Sequence, residues 1–71
     1  METRTVVVKK FCSFSRELLC LDKSGLICVT MANQSDVDLL KMVGKTYEFS
    51  GAVSKDGNQL FVKLYREVGY E

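Results

Sequence analysis

The stretch RELLCLDKSGLICVTMA, Arg16 to Ala32, constrains this chain more than any other part of it. An apolar run, Leu18 to Leu21, leads into the polar cluster Asp22-Lys23-Ser24-Gly25. Leu26 to Met31 follows, rich in aliphatic and β-branched residues. Two such runs around a short Asp/Ser/Gly loop predict a β-hairpin. Gly25 accepts positive φ without steric cost, and Asp22 is placed to hydrogen-bond its own backbone. Side chains on a strand alternate between faces. Leu18, Cys20, Ile27, Val29 and Met31 form one set, assigned to the core. Glu17, Leu19, Leu21, Leu26, Cys28 and Thr30 form the other. Three leucines and a cysteine are more than a solvated face carries, so the hairpin is either buried on both sides or presents a binding surface.

The remaining segments arrange themselves around that hairpin. Thr3 to Phe11 reads as a strand because of its Val triplet, with Lys9 and Lys10 near its end. Cys12 to Ser15 is a short connection. After the polar Asn33-Gln34-Ser35, Ser35 is a good helix N-cap, and Asp36 and Asp38 suit the first turn of a helix. Val37, Leu39, Leu40, Met42 and Val43 supply one apolar side, and Gly44 the stop. Lys45 to Val53 alternates again, with Tyr47, Phe49, Gly51 and Val53 on the inner face; Gly51 marks a bulge or bend. Asp56-Gly57 signals a second hairpin, and Gln59 to Val68 returns.

The order is strand, strand, strand, short helix, strand, strand. It predicts a mainly β fold, a five-stranded OB-fold barrel with a short helix between strands 3 and 4, spanning residues 1–71 as one domain. Closure suits a chain of 71 residues, which buries only about 60% of its unfolded surface and has no room for exposed sheet edges. An SH3-like or Sm-like barrel is the alternative, although the Sm arrangement begins with its helix.

Composition excludes several function classes. No apolar run approaches the roughly 20 residues that span a bilayer, and the apolar stretch near the N-terminus is too short for a signal peptide. No membrane association is expected. There is no histidine, no Gly-rich phosphate loop and no nucleophile elbow, so an enzyme, a cofactor or a small-molecule substrate is not expected. Cys12, Cys20 and Cys28 lack the close spacing of a zinc site; no metal is expected, and the thiols read as small hydrophobes. Their odd number favours an intracellular, reducing compartment. Ten basic against nine acidic residues leave a net charge of only +1, less than a dedicated nucleic-acid module usually carries.

In this order the motifs resemble the OB domains of the replication protein A large subunit and related single-stranded DNA-binding proteins. The Asp-x-Ser-Gly turn and the strand after it are here Leu21-Asp22-Lys23-Ser24-Gly25-Leu26-Ile27-Cys28-Val29-Thr30. The Lys-x-Tyr-x-Phe-Ser strand is Gly44-Lys45-Thr46-Tyr47-Glu48-Phe49-Ser50. The Asn-x-x-Phe of the last strand is Asn58-Gln59-Leu60-Phe61. The resemblance spans about Arg16 to Glu67. It implies binding of single-stranded nucleic acid in DNA replication or repair, in the nucleus if the source is eukaryotic. Two positions depart from the family. Ala32 stands where an aromatic commonly ends the third strand and stacks on a base, and the first inter-strand loop is short.

Two sets of candidate site residues follow. On the last strand, period alone places Leu60, Val62 and Leu64 in the core and leaves Phe61, Lys63 and Tyr65 as an outward ladder suited to stacking on bases. The resemblance instead puts Phe61 inside, and either face of a coiled barrel strand is open to Tyr65. Lys9, Lys10, Arg16, Lys55 and Lys63 are the basic residues expected to meet phosphate. Leu19, Leu21, Leu26 and Cys28 form the second set, expected to contact a protein partner or a second copy unless the chain's own first strand or terminus covers them. A nucleic-acid module is thus the first expectation and a protein-interaction module the second.

Overall fold

The hairpin forms where its pattern places it. In a computed structural model that describes residues 1–31 and 34–68, β2 (Glu17–Asp22) pairs with β3 (Gly25–Met31) without interruption, from Glu17 opposite Thr30 to Asp22 opposite Gly25. Asp22 Oδ1 accepts from the backbone N–H of Ser24 at 2.8 Å and from its hydroxyl at 3.2 Å, and Gly25 adopts φ 124°. A residue with a β-carbon is strained at that angle, which explains the glycine at the close of the turn.

Three further strands complete the sheet: β1 (Glu2–Cys12), β4 (Thr46–Val53) and β5 (Gln59–Glu67). A helix, α1 (Asp36–Lys41), lies between β3 and β4. The strands close in the order β1-β2-β3-β5-β4, with β4 returning to β1. Among the described residues only the β3–β5 pairing is parallel. This is the OB-type barrel the element order predicts. Its last hairpin is turned by Ser54 to Asn58, where Asp56 Oδ1 accepts from Ser54 Oγ at 2.5 Å and from the Asn58 N–H at 3.0 Å.

The core follows the inward set. Leu18, Cys20, Ile27, Val29 and Met31 are buried with Val6 and Val8 of β1, Tyr47 and Phe49 of β4, and Leu60 of β5. Burial pushes the Cys20 thiol up to about 12, so this sulfur stays protonated and behaves as a small apolar group.

Two bulges interrupt the ladder. In β1 the register against β2 slips between Val8 and Lys10, so Val8 and Phe11 both reach the interior. In β5 it slips opposite Ser50 and Gly51, where Gly51 faces Val62 and Ser50 faces Leu64. Gly51 is essential there. A β-carbon at that position would lie 1.9 Å from the Phe61 carbonyl oxygen, so backbone approaches backbone with no room for a side chain.

The helix departs in part from its expected apolar side. Ser35 caps it, accepting from the Asp38 N–H at 3.2 Å. Leu39 and, in the turn that follows, Met42 are buried, but Val37, Leu40 and Val43 are exposed. A single short helix against the end of a barrel buries only one narrow stripe; the rest of a broad apolar side has nothing to meet. Gly44 stands in the turn beyond, at φ 88°.

Candidate functional site

Register arranges the outward side chains of the barrel into rows that cross the strands. The first row is Val7, Leu21 and Leu26. The second is Lys10, Leu19, Cys28 and Gln59. The third is Cys12, Glu17, Thr30, Phe61 and Ala52. The surface therefore grades from apolar, through mixed, to polar with one aromatic ring.

At the middle of this face lies an open depression of about 210 Å³, lined by Lys10, Cys12, Glu17, Leu19 and Cys28. A hydrogen-bonded group sits along its polar side. The Gln59 side-chain amide donates to Glu17 Oε2 and, at 3.0 Å, to Thr30 Oγ1. Ser15 Oγ donates to Glu17 Oε1 at 3.4 Å. A larger depression of about 310 Å³ adjoins Thr3, Arg4, Thr5 and the first hairpin turn. Two of its three charges are matched to each other: Arg4 donates to Asp22 at 2.8 Å, which holds the Asp22 carboxyl below its usual range, and Lys23 is the third. That ion pair ties β1 to the hairpin turn and leaves the smaller depression as the better candidate.

The four outward residues of the hairpin are where alternation put them. Leu26 is 63% exposed and Leu21 is exposed, while Leu19 and Cys28 are half-buried. No other described segment covers Leu21 or Leu26. Of the basic residues, Lys9 and Lys10 lie within β1 at its bulge rather than in a loop, and both are exposed. Lys55 is exposed in the β4–β5 turn, immediately before the strand that carries Gln59 and Phe61. Arg16 is engaged elsewhere. It adopts φ 57°, donates to the Gln34 carbonyl and pairs with Asp36 at 3.0 Å, tying the β1–β2 loop to the start of α1.

The outward ladder of β5 does not form. Phe61 does point outward, 46% exposed, which corrects its implied place inside the barrel. Beyond Val62 the bulge reverses the faces. Tyr65 pairs with Phe49 and, although 45% exposed, rests against the barrel aromatics, its ring centroid 6.2 Å from Phe49 and 6.0 Å from Tyr47. Leu64, assigned to the core by period, is opposite Ser50 and 65% exposed. Lys63 occupies the extra position of the bulge and is exposed. One additional residue in a strand inverts every later side chain, and no alternation rule anticipates it.

Phe14 was not among the residues expected at a site. It is fully exposed in the β1–β2 loop, between two serines. An aromatic set among turn-forming residues was the signal available for it. Glu17, Thr30 and Gln59 were also missed as a group, because their contact depends on β3 lying beside β5. Cys12, in the same depression, has its thiol acidity raised chiefly by a hydrogen bond from Ser15, so its pKa falls below the ordinary thiol value. Among the described residues no cluster of three metal-ligating side chains occurs. Ala32, the position of the family's stacking aromatic, lies outside the described residues. No family model, no curated protein and no solved structure matches this chain.

Proposed function

We propose that this barrel is a non-enzymatic OB module that holds single-stranded nucleic acid across the outer rows of β1, β2, β3 and β5, in the manner of replication and repair proteins. The observation that carries the proposal is the outward, half-exposed Phe61 beside hydrogen-bonding groups, with Lys10 and Lys55 at either side. Every base offers a face to an aromatic ring, so stacking provides affinity without regard to sequence, and nearby lysines supply a salt-sensitive attraction to phosphate. Phe14 adds a second exposed ring, on the β1–β2 loop that follows Cys12. Arg16 takes no part in this reading, because Asp36 already neutralises it.

The experiment is titration of labelled single-stranded DNA at two salt concentrations. Binding is expected to weaken as salt rises. Phe61→Ala lowers affinity by about five-fold or more, five-fold being the low end of the stacking range, and Lys10→Glu lowers it with a shallower salt slope. Absence of binding at low salt defeats the proposal.

One observation favours a second reading, a protein-interaction module acting as an assembly subunit or homo-oligomer. The row Val7, Leu21 and Leu26 is apolar and open, which suits a protein contact better than a phosphate track. A stable dimer or complex that Leu26→Asp dissociates, with no affinity for DNA, would select that reading.

A further inference from the structure

The polar side of the depression contains an acid where a surface for phosphate would be expected to avoid one. Glu17 is half-buried, lies in the same cross-strand row as Phe61, and has no cationic partner within ion-pair distance among the described residues. Thr30 sits between the two, so Glu17 and Phe61 are separated by two strand spacings, about 10 Å between backbones. The Gln59 amide fixes the carboxylate by donating to Oε2, and Ser15 approaches Oε1. A carboxylate has about four acceptor positions over its two oxygens. One is used on each, which leaves one on each.

From this geometry we infer that the site prefers guanine at the position stacked on Phe61, with Glu17 reading its Watson–Crick edge. The inference rests on the nucleic-acid reading above. Single-stranded bases are read along that edge once a ring supports their face. Guanine alone places two adjacent donors there, N1–H and the exocyclic N2–H, matching two parallel carboxylate oxygens. Adenine and cytosine set a ring-nitrogen acceptor beside their amino group, and thymine flanks its N–H with two carbonyls. Each of these meets the carboxylate with at least one opposed lone pair. An acid that repels the backbone and rejects three of four bases converts a stacking platform into a selective one. Gln59 acts as a positioning residue, since its two donors hold Glu17 against Thr30.

The test uses oligonucleotides of about six nucleotides, near the small end of OB-fold site sizes. They differ at one central base: guanine, inosine, adenine or cytosine. Inosine retains N1–H and lacks only the N2 amino group. Native protein is expected to bind the guanine oligonucleotide about ten-fold more tightly than the inosine one. In Glu17→Gln the ratio falls to near one because the guanine oligonucleotide binds less tightly, while thermal unfolding stays unchanged. Equal affinity for all four oligonucleotides, with Phe61→Ala still weakening them, overturns the guanine preference and leaves the nucleic-acid reading standing. A ratio that survives in Glu17→Gln overturns the role of this carboxylate. If no oligonucleotide binds, both readings fall together.

Discussion

The β2–β3 and β4–β5 hairpins are built from similar material, yet only the first keeps one phase of alternation from end to end. Its six pairs run without a slip, and Leu18, Cys20, Ile27, Val29 and Met31 all face inward. The second hairpin begins the same way, with Leu60 opposite Val53 and Val62 opposite Gly51. It then passes through the bulge and finishes with Tyr65, itself 45% exposed, leaning its ring on Phe49 and Tyr47, and with Leu64 turned away and 65% exposed. The difference lies in one glycine and one extra residue. Where two backbones come as near as Gly51 and Phe61 do, the ladder cannot continue in phase, and the strand bends to close the barrel.

The largest expected effect tests the regular hairpin. Leu18→Ala should cost about 3 kcal/mol in chemical denaturation, as for other fully buried leucines. Leu26→Ala, on the opposite face, should change stability by less than about 0.5 kcal/mol. Similar costs at both positions would erase the distinction between inner and outer faces. At the irregular hairpin, Gly51→Ala should cost about 2 kcal/mol or more, because the new methyl meets a backbone oxygen that no rotamer change relieves. A neutral substitution there would show that the close approach does not exist.

The reversal of faces predicts a smaller contrast between neighbours. Tyr65→Ala should cost about 1.5 kcal/mol through lost packing on Tyr47 and Phe49. Leu64→Ala should be close to neutral. An unbroken β5 would give the opposite order.

The smallest effect belongs to the hairpin turn. Asp22 has a side chain only 6% exposed, and Arg4 holds its pKa below 3.8 in the folded state. Its contribution is therefore present above the unfolded carboxylate value and disappears as pH falls through the lower folded value. Asp22→Asn should cost about 1 kcal/mol at neutral pH, and the gap between the two proteins should close in denaturation curves taken progressively below pH 3.8. A gap independent of pH would place the cost in the turn's hydrogen bonds rather than in the ion pair.

Much of the candidate site was legible one residue at a time. Leu21 and Leu26 are outward because a regular strand puts every second residue on the same side, and Lys55 is exposed because an Asp-Gly turn carries it. Tyr65 was not legible, since its side depends on a bulge set by the approach of another strand. Arg16 was not legible either. Its partners lie at positions 34 and 36, beyond the whole of the hairpin, and only the fold brings the loop to the helix start.

By itself the amino-acid sequence determined whatever local chemistry governs: the two turns, the helix cap at Ser35, the inward set of an uninterrupted hairpin and the order of elements that closes as an OB barrel. Tertiary structure decided the phase of β5, the engagement of Arg16 and the meeting of Glu17, Thr30, Gln59 and Phe61 on one surface. The reason is that these features are relations between strands. A side chain's face follows from its neighbours in sequence only while pairing stays in register, and the parallel contact between β3 and β5 joins residues about thirty positions apart that no periodicity connects.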